Sequence, residues 1–239
     1  MRLFKHGDGF EGQDITHLLD NIKLTPDNNS INMPEITKVL ADKANTKGHI
    51  ALRGEIIIKN TVYDAKYSKM YPKARSLISG QVNAKRPDDG IVSDMEIVFY
   101  EFIYPGGLTF QKQFEMITHL GFNTAKYKVF QTLEESQLPE VLMTFKRESA
   151  YEIDGIVLDD SSKVWPRSEK EDPDYAVAFK MPLEEQVANT VVVNVEYNVS
   201  KHGTLAPRIE YRPVMIKGDT HRSEEHTSEL QSRQYLVCR

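Results

Sequence analysis

Three strand-like stretches of the chain bury apolar residues yet each present an ionisable group. Glu55 lies in Leu52-Arg53-Gly54-Glu55-Ile56, Asp154 in Ile153-Asp154-Gly155-Ile156-Val157, and Lys180 in Ala176-Val177-Ala178-Phe179-Lys180-Met181-Pro182. A charge in or beside an apolar strand is costly unless it is paired or holds a ligand. Two readings follow. The groups are strand-end charges closed in ion pairs, or they are the polar contacts of a ligand site.

The elements that must position them are legible in the hydrophobic periodicity. Residues 49–59 end in Ile56-Ile57-Ile58 and predict a buried strand. Residues 95–104, MEIVFYEFIY, are rich in β-branched and aromatic side chains and predict another, broken by Pro105-Gly106-Gly107. Further strands are expected over 127–130, 155–159, 175–180 and 190–200. Helices are expected over 60–71, 109–120 and 133–149, with weaker signals from Asp14 or Thr16 to Ile22 and over 35–45. In the 109–120 helix, Phe110, Phe114, Ile117 and Leu120 recur at helical spacing, and Gly121 stops it. Strands and helices do not alternate regularly. The expected fold class is therefore α+β with largely antiparallel sheets, not a doubly wound sheet. After Pro182 the composition shifts, and Val191-Val192-Val193 opens a second, all-β unit.

The 239 residues are 40% hydrophobic and 27% charged, with a net charge of −5, which is enough apolar matter for a core. That balance excludes disorder as the main state and a uniformly basic nucleic-acid coat, but not a local basic face. No run approaches the ~20 apolar residues of a membrane span. The start, Met1-Arg2-Leu3-Phe4-Lys5-His6, turns polar too early for a signal peptide. A single cysteine, Cys238, excludes disulfides and thiolate zinc sites within the chain. A cytoplasmic protein is expected, with no membrane partner.

Residues Arg222 to Ser232, RSEEHTSELQS, reverse-translate in one frame into a common short-read sequencing adapter. Tyr235-Leu236-Val237-Cys238-Arg239 continue in that frame beyond a short index. Residues 222–239 are accordingly expected to be a translated adapter tail, outside fold reasoning.

The order RGE (53–55), YEFI (100–103), DGIV (154–157) and AVAFKMP (176–182) resembles motifs III, IIIa, IV and V of the nucleotidyltransferase domain of NAD-dependent DNA ligases. His6-Gly7-Asp8-Gly9-Phe10-Glu11-Gly12-Gln13-Asp14-Ile15-Thr16 is similar to that family's RGDG-x-x-GEDVT stretch. Tyr71-Pro72-Lys73-Ala74-Arg75-Ser76 through Gly80 looks like a diverged F-A-N-P-R-N-x-x-x-G. Val195 to Pro207, with Lys201-His202-Gly203-Thr204, resembles the start of the ligase OB-fold. The resemblance implies three domains of description: 1–182 as a partial adenylation domain, 183–221 as the first strands of an OB-fold barrel, and 222–239 as the tail.

It also implies roles. Glu55 would accept hydrogen bonds from the adenylate ribose. Tyr100 would be the aromatic near the adenine, its equally weighted alternative being plain core. Arg75 would sit near the adenylate and the DNA end, where a guanidinium suits phosphate. Lys180 would hold the adenylate phosphate and offset charge in the transition state. Asp154 would position the lysine or a divalent metal, Mg2+ or Mn2+. Lys201, His202 and Arg208 would form a salt-sensitive patch on nicked duplex DNA. The implied reaction transfers AMP from NAD to a lysine, then to a 5′-phosphate at a nick, and ends with attack by the 3′-hydroxyl. It serves DNA replication and repair, in a bacterium or in a cell infected by a phage or virus.

The sequence departs from the pattern in four places, one being His6 in the place of a family arginine, with Lys5 beside it to substitute in charge. No Lys-x-Asp-Gly, the family's nucleophile motif, occurs in the 239 residues. The nicotinamide-recognition module is not in the chain. Asp159 stands where motif IV ends in a lysine, with Lys163 four residues on. The chain alone is therefore expected to be inactive in self-adenylation. It reads as a ligase fragment, with two alternatives: a split subunit whose KxDG lysine comes from a separate polypeptide, or a degenerate nucleotidyltransferase acting as a DNA-binding or scaffold module.

Overall fold

The computed structural model describes residues 1–5, 12–27, 29–166, 173–181, 189–199, 205–216 and 219–225. The Gly-Asp-Gly stretch and most of the adapter-like tail lie outside the described residues. In chain order the elements are α1 (Met33–Ala41), α2 (Lys43–Thr46), β1 (Ala51–Ile58), α3 (Asn60–Lys66), α4 (Ala74–Asn83), α5 (Asp89–Asp94), β2 (Met95–Tyr104), α6 (Phe110–His119), α7 (Leu138–Glu148), β3 (Gly155–Asp159), β4 (Ala176–Lys180), β5 (Val192–Val199), β6 (Leu205–Ile216) and β7 (Asp219–Glu225). Two compact units result. The first holds Met1–Leu133, Phe145–Glu152 and Asp159–Val177; the second holds Glu134–Thr144, Ile153–Leu158 and Ala178–Arg239. Among the described residues no helix is long and apolar enough to cross a membrane.

The first unit is built on the antiparallel pair β1–β2. The free edge of β2 is taken up by loops. Lys23 N donates to Met95 O at 3.1 Å, Ile97 N to Lys23 O at 2.8 Å, Phe99 N to Asn123 O at 2.8 Å, and Ala125 N to Phe99 O at 2.8 Å. A central strand can bury both faces because its backbone groups are satisfied on both sides. The strand expected over 127–130 does not form: this edge pairing ends at the Phe99–Thr124 bridge and Ala125. Tyr127 instead stacks on Phe114, with centroids 4.7 Å apart.

Ile58, Leu77, Val92, Met95, Ile97, Phe99, Ile117 and Leu120 form the heart of the core. Within it, Glu96 is 3% exposed. Lys59 Nζ lies 3.8 Å from its carboxylate, and the Asn123 amide donates to it at 2.9 Å. A buried charge needs such partners. The end of α6 is fixed by its sequence. Gly121 has φ +86°, its N–H donates to Thr118 O, and Phe122 N–H donates to Ile117 O. This is the paired capping pattern of a left-handed C′ glycine, with Ile117 and Phe122 both in the core.

Helices α4 and α5 are not announced by the pattern. α4 buries only Leu77 and Val82, and α5 has six residues including Gly90. Neither offers a full apolar stripe. The helix expected over 133–149 begins with a 3-10 turn, Glu135–Gln137, before α7. Pro139 is tolerated because it falls in the first turn of α7, where no intrahelical N–H is needed.

In the second unit the sheet order is β5–β6–β7, antiparallel throughout. Its register sets Val195 opposite Ile209, Tyr197 opposite Pro207 and Val199 opposite Leu205, with Glu196 opposite Arg208 on the other face. The alternation is that of a sheet with one apolar face. Every residue of β5 is exposed. β7 lacks such alternation, and its last four residues, Arg222–Glu225, belong to the adapter-like segment.

Candidate functional site

The RGE segment sits at an irregularity of the first sheet. Arg53 pairs with Glu101 and Gly54 with Phe99, so Tyr100 is an extra residue in β2. Such a bulge bends the strand and re-aims the side chain of the inserted residue. Tyr100 is 42% exposed, although Phe99 and Phe102 beside it are buried. Gly54 allows the bulge: a Cβ there would lie 2.7 Å from Val98 O and 2.8 Å from Ile97 Cγ2. Glu55 follows, exposed, opposite Val98. The ladder therefore brings Glu55 and Tyr100 to one stretch of the sheet. Arg53 is closed on Glu101 at 3.2 Å across the strands. Arg75 lies exposed in the first turn of α4, a helix that packs against β1.

β3 and β4 pair, and their motif residues meet. Lys180 Nζ donates to Asp154 Oδ2 at 2.9 Å. The lysine side chain is 28% exposed and the aspartate side chain 82%. An ammonium held by a solvent-facing carboxylate is oriented yet can exchange toward an incoming anion, since exposed pairs are weak. Glu55, Tyr100 and Arg75 belong to the first unit, and Asp154 and Lys180 to the second.

Asp159 ends β3. Desolvation, and then the Glu101 carboxylate, push its carboxyl up to about 6. The residue as a whole is exposed, so water screens part of this effect. The Lys163 ammonium lies 3.9 Å over the Trp165 ring, and its charge acts on Asp160. Trp165 in turn stacks on Tyr175 at 5.3 Å. Arg208 is exposed on β6, in register with Glu196. Lys201 and His202 lie outside the described residues. No three His, Cys, Asp or Glu side chains converge on one point among the described residues.

Sequence reasoning missed the Arg53–Glu101 pair and the pressure of Glu101 on Asp159. The signal was present: an arginine and a glutamate, each within a largely apolar strand, in two strands that pair.

A family model described as the NAD-dependent DNA ligase adenylation domain matches residues 2–184. A DNA ligase of Acanthamoeba polyphaga mimivirus is 32% identical over 217 residues, covering 90% of this chain and 31% of that protein. A DNA ligase of Bacillus pumilus is 28% identical over 244 residues, covering 94% of this chain and 33% of that protein. One from Clostridioides difficile is 27% identical over 235 residues, covering 90% and 32%. The chain thus spans about a third of the length of these curated relatives. It belongs to the NAD-dependent DNA ligase family, whose adenylation-domain pattern runs through residues 2–184.

Proposed function

We propose that this chain is part of a DNA ligase that seals nicks in duplex DNA during replication and repair, taking AMP from NAD. Residues 1–182 are the partial adenylation domain, 183–221 the opening strands of an OB-fold barrel, and 222–239 a non-native tail. The site of action is the cytoplasm of a bacterium or of an infected cell.

The observation that carries this reading is the Lys180–Asp154 pair. An ammonium oriented at 2.9 Å by a carboxylate supports this reading, because its positive charge can exchange toward a phosphate. Lys180 would bind the adenylate phosphate and offset the charge that develops as the phosphorus is attacked. Glu55, exposed on β1, would accept hydrogen bonds from the ribose, and Tyr100 would present its ring to the adenine. Arg75 would bind phosphate at the DNA end. Lys201, His202 and Arg208 would grip the duplex backbone. A divalent cation, Mg2+ or Mn2+, would supply charge neutralisation. Asp154 is a candidate protein ligand, and most of the coordination would come from water and phosphate, as suits Mg2+.

The chain carries no Lys-x-Asp-Gly, so it should not adenylate itself. The test is incubation with NAD labelled in the adenylate, plus Mg2+. No covalent label is expected on this chain. Label is expected once an upstream segment with Lys-x-Asp-Gly is joined to it or supplied as a separate polypeptide. Label on the chain alone would refute the assignment of the missing nucleophile.

One observation favours a second reading. Asp159 sets a carboxylate where the family has a lysine, and beside Glu101 it would repel phosphate. A degenerate nucleotidyltransferase acting as a DNA-binding or scaffold module would carry such a change. Failure of the restored protein to seal nicks would select it.

A further inference from the structure

The residue after Asp154 controls more than the turn into β3. A Cβ at Gly155 would lie 2.6 Å from Lys180 Cγ, 2.7 Å from Phe179 O and 3.5 Å from Lys180 Cδ. Real Cβ atoms do not come within 3.0 Å of such neighbours. The stem of Lys180 therefore crosses the space that any other residue at 155 would fill. Its ammonium emerges at Asp154, one residue upstream.

Two forces could set the course of this lysine: the ion pair at its head, or the slot under its stem. The head pair is weak, because the Asp154 side chain is 82% exposed and water screens it. The slot is steric and does not depend on solvent. Cγ lies near the root of the side chain, so displacing it redirects every atom beyond.

We propose that Gly155 is a positioning residue for Lys180: its missing side chain sets the path of the lysine stem, and Asp154 only trims the direction of the head. The functional half of this inference rests on the reading of Lys180 as a phosphate contact.

The test is a double-mutant cycle in the full chain with Gly155→Ala, Lys180→Ala and the double variant, and with Asp154→Asn alongside. AMP is the probe, read by its affinity, and thermal unfolding is followed in parallel. Losing one charge-assisted contact is expected to weaken AMP about 10- to 100-fold in Lys180→Ala. Gly155→Ala should lose nearly as much, the double variant no more than Lys180→Ala, and Asp154→Asn less than Gly155→Ala. Losses that multiply in the double variant, or wild-type affinity in Gly155→Ala, would overturn the proposal.

If the wild-type chain does not bind AMP, the phosphate-contact reading fails, and the unfolding cycle decides the geometric half alone. Gly155→Ala should then lower the melting temperature less in the Lys180→Ala background, where Cγ and Cδ are gone. An equal loss in both backgrounds would assign the clash to Phe179 O and overturn the slot. Should Gly155→Ala fail to fold, folding of the double variant supports the slot, and its failure refutes it.

Discussion

Strands β2 and β5 are made of the same materials and end in opposite environments. At least half of each is β-branched or aromatic: isoleucine, phenylalanine and tyrosine lead in β2, and valine leads in β5. The first five residues of β2 are buried, whereas all of β5 is exposed. The difference lies in pattern. β2 runs Met-Glu-Ile-Val-Phe with almost no alternation, and it has β1 on one edge, loop segments on the other and α6 packed against it. β5 alternates strictly from Val193 to Val199, so that one face is apolar and the other polar. Composition marks a strand. The period says how many of its faces expect cover.

The sharpest break of this comparison is a deletion in the first unit's core. Ile117 is 0% exposed, packs in the core and closes the C-terminal turn of α6. Ile117→Ala should cost about 2–5 kcal/mol, as buried large-to-small changes do. Urea unfolding measures it. A loss below about 1 kcal/mol would mean that the site around which α6 and β2 pack collapses without a cavity.

The same contrast explains what the sequence could convey. β2 and β3 are found where the pattern predicts them, because β-branched runs bounded by glycine, proline or aspartate carry their own punctuation. α6 is found to within a residue at each end, because Gly121 and the Ile117–Phe122 contact encode its stop. The strand expected at 127–130 did not form for a tertiary reason: the pairing along β2 ends at Ala125, and Tyr127 stacks on Phe114 instead. Of the candidate site, the residue types of Glu55, Asp154 and Lys180 were legible, and so was the option that such charges close on each other. Two features were not. The bulge that inserts Tyr100 depends on a register between strands some forty residues apart, and the slot at Gly155 depends on where the Lys180 stem passes.

A smaller effect sharpens the comparison for charges. Glu96, inside β2, is answered by Lys59 and Asn123. At the end of β3, desolvation and then the like charge of Glu101 push the Asp159 carboxyl up to about 6. The folded state therefore binds this proton more tightly than the unfolded chain, whose aspartate titrates near ~3.9. The resulting stabilisation is complete below that value and is lost as pH rises through about 6. Asp159→Asn removes the dependence. Its urea midpoint should gain on the wild type steadily from about pH 4 to about pH 7, then hold level. A constant difference across that window would show that neither desolvation nor Glu101 raises the Asp159 carboxyl.

The smallest effect is expected on β5. Tyr197 is 67% exposed, on the face it shares with Val195, Val199, Leu205 and Ile209. An exposed side chain with little to pack against contributes little, so Tyr197→Ser should change the stability of this chain by no more than ~0.5 kcal/mol. Urea unfolding at two protein concentrations tests this. A loss above about 1.5 kcal/mol that grows with concentration would mean that the apolar face is covered by a second copy, because only association makes stability depend on concentration. A large loss independent of concentration would mean that the chain's own residues cover it. In the longer ligase proposed above, further barrel strands would seal this face, and the same substitution should then cost as much as a core change. A single tyrosine thus separates a sheet that is finished from one that awaits its cover.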